Sequence, residues 1–194
     1  MAQQHDSVEL VGDETVEYFA KAVALAALTA ALAQISIPLP APLVPFSLQP
    51  FGAFFAGLLL GPLWGGLALV LYILVGIAGV PVFSNGSGGL GYFLVGRGTG
   101  GFLVGFLLGA VVAGAIAHRG VTPRRLDQIA VPTQILALLA AVIVIYAVGV
   151  PWMSSVLGLS LQRAATIMAP YVPLDLLKLV IAVGIVRGGY LLRE

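Results

Sequence analysis

The longest uncharged stretch of this chain limits its fold more than any other feature. Between Lys21 and Arg97 the sequence contains no Asp, Glu, Lys, Arg or His. Further gaps separate Arg97 from His118, and Asp127 from Arg163. A helix needs about 20 apolar residues to cross a bilayer, so the first gap has room for several crossings. The 194 residues are 60% hydrophobic and only 9% charged, which places the chain in a membrane.

Glycine and proline divide the apolar sequence into segments. We predict six helices, at residues 17–36, 47–61, 63–79, 99–118, 127–149 and 165–190. Lipid admits only helices or closed barrels, and these long runs lack the alternation of barrel strands. The predicted fold is an all-α integral membrane protein with six transmembrane helices (17–194), preceded by an acidic cytoplasmic tail (1–16).

Basic residues predict the orientation, because cytoplasmic connections are rich in Lys and Arg. With six crossings, both termini lie on one side of the membrane. The basic residues on that side are Lys21, Arg119, Arg124, Arg125, Arg187 and Arg193. Arg97 and Arg163 lie on the other side. We therefore expect cytoplasmic N- and C-termini, with the first, third and fifth connections outside.

One acid and one base remain inside the last apolar segment. Asp175 and Lys178, in "VPLDLLKLVIA", are three residues apart and so share one helix face. Each costs roughly 2.5–3.5 kcal/mol at the middle of a spanning helix, so the pair is a candidate functional site. The alternative is a structural ion pair, since Pro173 places Asp175 near a helix start, where negative charge is favoured.

Three other polar residues are candidates near the outer face. Asn85, in "FSNGSGG", has an amide that donates and accepts, or it is a turn residue beside glycine. Arg97 is the only charge in the outer half of the first four helices, or it is an interfacial anchor. Gln49 stands at the mouth of the second helix, or it is only a helix-start residue.

Small residues recur at intervals of four along three of the predicted helices. These rows are Gly57, Gly61 and Gly65; Gly101, Gly105 and Gly109; and Ala22, Ala26 and Ala30. Such rows let helix backbones approach closely. We predict that the glycine rows pack inside the bundle. The alanine row either packs in the same way or meets a second membrane protein.

The sequence lacks the signatures of several other functions. The net charge is +1 without a basic cluster, which argues against nucleic acid, and there is no cysteine. The two histidines, His5 and His118, lie far from the outer half, which argues against a Ser–His protease and a metal site. Neither lysine follows a glycine, so the chain has no P-loop. The residues instead indicate one polar pocket for a small ligand with a hydrogen-bonding end and an anionic end.

The sequence resembles the BioY family, the biotin-specific substrate-binding (S) components of energy-coupling factor (ECF) transporters. The resemblance covers about residues 25–192. It rests on "SIPLP…PFSLQ" (36–49), "AGLLLGPLWGGLALVLYILVG" (56–76), "GVPVFSNGSGGLG" (79–91), "GTGGFLVGF" (98–106) and "VPLDLLKLVIA" (172–182). It implies the S-component fold, a prokaryotic plasma membrane, biotin as ligand without a cofactor, and no enzymatic activity of the chain itself.

The resemblance also implies partners and roles for the candidate residues. The partners are a membrane T protein and two ABC-type ATPases, with Ala22, Ala26 and Ala30 on the docking face. Asp175 would accept from a ureido N–H, and Asn85 would complete the ureido contacts. Lys178 would keep Asp175 ionised and touch the polar end of the ligand, and Arg97 would face the carboxylate. Gln49 is a further candidate ligand contact. The alternatives are an S component for another small vitamin, or a self-sufficient proton-coupled carrier.

Overall fold

The computed structural model describes residues 12–37 and 44–191, without the side chains of Arg97, Tyr190 and Leu191. The helices in this part of the chain are α1 (Asp13–Gln34), α2 (Gln49–Ile77), α3 (Leu90–Leu94), α4 (Gly100–His118), α5 (Val131–Leu157), α6 (Leu161–Met168) and α7 (Tyr171–Leu191). Strands β1 (Ser36–Ile37) and β2 (Phe46–Ser47) pair in antiparallel fashion between α1 and α2. In the described residues, α1, α2, α4 and α5 are long and apolar enough to cross a membrane, and α6 with α7 forms a fifth candidate bent by 50°.

Helix α2 reverses direction at Gly61. This residue has φ 72° and ψ −172°, which glycine adopts without a Cβ clash. The next residue, Pro62, has no N–H with which to continue the helical ladder. The second segment (62–77) folds back along the first (49–60). The contact that shows this is Tyr72 Oη to Gln49 Nε2, at 2.6 Å, between residues that are 23 positions apart. The predicted break at "GPLW" is therefore present.

His118, the last residue of α4, ties this helix to the break in α2. Its Nε2 lies 3.2 Å from Gly57 O and 3.0 Å from Leu58 O, two carbonyls near the end of the first segment. Its Nδ1 accepts the backbone N–H of Arg124 at 2.8 Å. Because Nδ1 accepts, the imidazole proton lies on Nε2 and is donated to the carbonyls. A single side chain thus satisfies helix-end carbonyls that would otherwise be unpaired.

Helix α4 packs between α2 and α5, and glycine makes the close approach possible. A Cβ on Gly57 would lie 2.6 Å from Ala110 O, and one on Gly105 would lie 2.9 Å from the backbone of Ile145. Real side chains essentially never tolerate such distances to backbone atoms. The prediction that the glycine rows pack inside the bundle is confirmed at these positions.

Several predicted boundaries differ from the structure. Helix α1 begins at Asp13, inside the predicted tail, whose residues 1–11 lie outside the described part of the chain. Helix α5 continues through Pro151 to Leu157 instead of ending at 149, and Gly158, with φ 63°, ends it. The helix predicted at 165–190 is instead divided into α6 and α7. The proline at 151 removes one helical hydrogen bond, which the long apolar helix around it tolerates.

The alanine row of α1 is buried at one end and partly accessible at the other. Ala22 has no exposed surface, so its side chain offers nothing to a docking partner in this conformation. Thr29 is also fully buried, and it packs closely against Gly52. Ala26 and Ala30 are half-buried and line a groove between α1 and α2. A docking partner could therefore reach Ala26 and Ala30, but not Ala22, in this conformation.

Candidate functional site

A cavity lies between β2, the start of α2, and helices α4, α5 and α7. Its empty volume is about 540 Å³, including its open side. Most of its walls are aromatic or aliphatic, and its polar lining includes Ser47, Gln49, Ser84, Asp175 and Lys178. A water-sized sphere can enter only about 50 Å³ of this space, so a ligand of vitamin size requires the side chains of the walls to move apart.

Asp175 and Lys178 form a buried ion pair in this cavity. Lys178 Nζ lies 2.8 Å from Asp175 Oδ1, and the two residues are 5% and 9% exposed, respectively. The hydroxyl of Tyr146, on α5, donates to Asp175 Oδ2 at 2.7 Å. A carboxylate has about four lone-pair directions, so each oxygen retains capacity to accept a further hydrogen bond. Asp175 and Lys178 thus lie on one helix face, as predicted. The Asp175 carboxylate is held in place by two donors, Lys178 and Tyr146.

Helix α7 also holds the chain segment that precedes α2. Lys178 Nζ donates to the carbonyl of Ser47 at 2.8 Å and lies 4.0 Å from the ring centroid of Phe46. The hydroxyl of Tyr171 donates to the carbonyl of Val44. Two side chains of one helix thus fix the main chain of residues 44–47 against the cavity.

Gln49 lies at the mouth of α2, where the sequence predicted it, and is 5% exposed. Its amide oxygen contacts the hydroxyls of Ser47 and Ser84, at 3.0 Å and 2.6 Å. Its amide nitrogen contacts the hydroxyl of Tyr72. Gln49 is therefore the centre of a buried polar network as well as a lining residue.

The structure does not place Asn85 in the cavity. Asn85 is exposed, has φ 58°, and its Oδ1 accepts from the Ser36 hydroxyl at 2.6 Å. Asparagine tolerates this left-handed conformation better than most residues, which fits the turn role that was the alternative. Its neighbour Ser84 lines the cavity in its place.

The side chain of Arg97 lies outside the described residues, so its contact with a ligand stays a prediction. Its backbone belongs to a short 3-10 turn (Gly96–Gly98) that directly precedes Thr99, a residue of the cavity wall.

Sequence reasoning missed Tyr146, Tyr72 and Ser84. The available signal was a single hydroxyl within an otherwise apolar run: "VIVIYAVGV" for Tyr146 and "LVLYILVG" for Tyr72. Such a group needs a partner when it is buried. Its partner, however, is set by packing between distant segments.

The apolar helices, and the cavity with its few buried polar residues, define a multi-pass helical membrane protein with a site for a small ligand. The model of the BioY family matches residues 4–193. The chain therefore belongs to the BioY family.

Curated relatives and a solved structure agree with this assignment. The biotin transporter BioY of Rhodobacter capsulatus is 40% identical over 147 residues, covering 71% of this chain and 74% of that protein. The biotin transporter BioY of Thermotoga maritima is 38% identical over 163 residues, covering 84% and 89%. A crystal structure of the S-component for biotin from an ECF-type ABC transporter matches with a TM-score of 0.80 at 25% identity, covering 95% of each chain.

Proposed function

We propose that this chain captures biotin in the membrane as the S component of an ECF transporter. The observation that carries the proposal is the buried Asp175–Lys178 pair in a cavity with mainly apolar walls. Membership of a family whose curated relatives are named biotin transporters supports it.

The chemistry of biotin suits the cavity. Its cyclic urea offers two N–H donors, for which Asp175 retains acceptor capacity. Its sulfur-containing ring is apolar and suits aromatic walls such as Phe102 and Phe106. Lys178 keeps Asp175 ionised and oriented, because its ammonium already contacts that carboxylate and Ser47 O. We retain Arg97 as the proposed contact of the biotin carboxylate.

The proposed topology has six crossings: α1, the two segments of α2, α4, α5, and α6 with α7. Both termini then lie in the cytoplasm of a prokaryotic cell, as the distribution of Arg and Lys predicts. The proposed partners are a T protein, which Ala26 and Ala30 would contact, and two ABC-type ATPases. The sequence contains no P-loop, so the energy for uptake would come from those ATPases.

Equilibrium binding of a vitamin panel to the purified full-length protein tests the ligand. We expect biotin to bind most tightly and to be found by mass spectrometry in protein purified from biotin-containing medium. A vitamin that binds more tightly than biotin would contradict the biotin assignment while leaving the S-component assignment intact.

Uptake into vesicles tests the need for partners. Vesicles that contain this chain alone are expected not to accumulate biotin under an imposed proton gradient. Accumulation that depends on the gradient would instead support a self-sufficient proton-coupled carrier.

Tyr146→Phe is expected to weaken biotin binding by about tenfold or more, because hydrogen bonds to charged groups contribute about 1.5–3 kcal/mol. The change removes the donor to Asp175 Oδ2 and leaves the aromatic wall in place. Titration calorimetry measures the affinity. Tyr18→Phe is the matched control, since the Tyr18 ring stacks on Trp64, away from the cavity. Equal biotin affinities of the two variants would show that the Tyr146 hydroxyl does not orient Asp175 for the ligand.

A further inference from the structure

We infer that Gln49 and Tyr72 fix the direction of the hydrogen bonds at one end of the cavity, so that Ser47 and Ser84 offer only acceptor oxygens to a ligand. The inference rests on the proposed function, because it explains how this site would recognise the N–H groups of biotin. These four side chains form one buried network, and each is 7% exposed or less. The network ends at the carbonyl of Val82.

The direction of the network is set at Val82. A carbonyl oxygen can only accept, so the Tyr72 hydroxyl, 3.0 Å away, donates its single hydrogen to Val82 O. The Tyr72 oxygen must then accept from its other neighbour, Gln49 Nε2, at 2.6 Å. The amide of Gln49 is therefore oriented by chemistry, with nitrogen toward Tyr72 and oxygen away from it.

The amide oxygen of Gln49 transmits this direction to the two serines. Ser47 Oγ lies 3.0 Å from Gln49 Oε1, and Ser84 Oγ lies 2.6 Å from it. Because an amide oxygen only accepts, each serine donates its one hydroxyl hydrogen to Gln49. The backbone N–H of Gln49 also points to Ser47 Oγ at 3.4 Å, which agrees with an accepting role for that oxygen. Only lone pairs of the serines remain for a ligand.

The Asp175 carboxylate is a further acceptor at the cavity. It lines the same cavity as Ser47 and Ser84, and it accepts from Lys178 Nζ and from the Tyr146 hydroxyl. Three accepting groups therefore face the cavity, a pattern complementary to a cyclic urea with two N–H donors. In a ligand with an oxygen in place of one N–H, that oxygen would face an acceptor oxygen of the protein, and no hydrogen bond could form between them. Buried polar groups left unpaired in this way produce strong discrimination.

Tyr72 has a positioning role in this scheme. It does not line the cavity, whereas Gln49, Ser47 and Ser84 do. Tyr72→Phe removes the oxygen that accepts from Gln49 Nε2, so the amide becomes free to reverse. The serine hydroxyls are then free to rotate and donate to a ligand oxygen. The readout is the preference between two ligands, which a loss of packing alone would not change.

The test compares biotin with its cyclic carbamate analogue, in which oxygen replaces one ring N–H. Affinities are measured by titration calorimetry on the full-length protein in nanodiscs. We expect the wild type to prefer biotin by about 100-fold or more, because a missing hydrogen-bond donor is strongly rejected by a site built for it. We expect this ratio to fall at least about tenfold in Tyr72→Phe, which corresponds to about 1.4 kcal/mol. Tyr18→Phe, outside the network, should keep the wild-type ratio.

Each outcome separates the inference from the proposed function. If biotin binds but Tyr72→Phe keeps the wild-type ratio, the inference is wrong and the biotin assignment stands. If the wild type does not bind biotin, the proposed function fails and the inference fails with it. If Tyr72→Phe does not fold, the wild-type protein provides the test. A ratio near one between its affinities for biotin and for the carbamate would overturn the inference, and a large ratio would support it.

Discussion

Asp175→Asn is expected to weaken biotin binding by about 100-fold or more. Asparagine keeps the shape of the side chain but removes the charge that compensates Lys178 Nζ, 2.8 Å away. One of its two terminal atoms becomes a donor, so Lys178, Tyr146 and the ligand compete for a single acceptor. Titration of biotin into the purified full-length protein measures the change.

A second ion pair in the chain provides the matched control. Glu17 and Lys21 form an exposed pair on α1, and such pairs contribute little. Glu17→Gln should therefore leave both the affinity and the Tm unchanged. Lys178→Met should lower both, because removing one partner of a buried pair costs about 3–5 kcal/mol. If folded Asp175→Asn protein binds biotin as the wild type does, the site assignment is wrong.

Gly114→Ala is expected to destabilise the fold by about 1–3 kcal/mol, the usual effect of overpacking a core. Gly114, on α4, faces the break in α2, and a Cβ there would collide with backbone atoms of Gly61 and Pro62. Neither helix can yield without opening the contact that His118 also maintains. Thermal unfolding followed by tryptophan fluorescence should show a Tm several degrees below the wild type.

Gly184→Ala is the matched control for this substitution. Gly184, in α7, has no neighbouring atom within 4 Å of an added Cβ. Alanine is a better helix former than glycine by about 1 kcal/mol, so this variant should be as stable as the wild type or slightly more stable. If the Gly114→Ala and Gly184→Ala variants have the same Tm, α4 and the break in α2 are not in close contact.

Features set by neighbouring residues were predictable from the sequence. The spacing of Asp175 and Lys178 places them on one face of any helix. The Gly61–Pro62 dipeptide favours a break, because glycine adopts non-helical angles easily and proline lacks the N–H of the helical ladder. Both predictions therefore needed no knowledge of the tertiary fold.

Features set by distant segments were not predictable in the same way. Tyr146 meets Asp175 only because α5 packs beside α7. Ser84 lines the cavity, whereas Asn85, in a left-handed turn, is exposed and pairs with Ser36 from a distant segment. Ala22 is buried because α1 uses that face against α2. In each case the sequence indicated a polar or small residue of interest, and packing decided what it contacts.

The charges of Asp175 and Lys178 cancel each other, and this neutrality has an electrical consequence. The ion pair supplies no net positive charge to balance an anionic ligand tail. A carboxylate that enters with the ligand carries its own charge into the field across the membrane, because charges fixed in the protein do not move with it. Moving a full charge through that field changes the free energy by about 2.3 kcal/mol per 100 mV. The depth at which the tail lies thus sets how strongly the membrane voltage tunes the affinity, whereas an uncharged ester of the same ligand would bind independently of voltage.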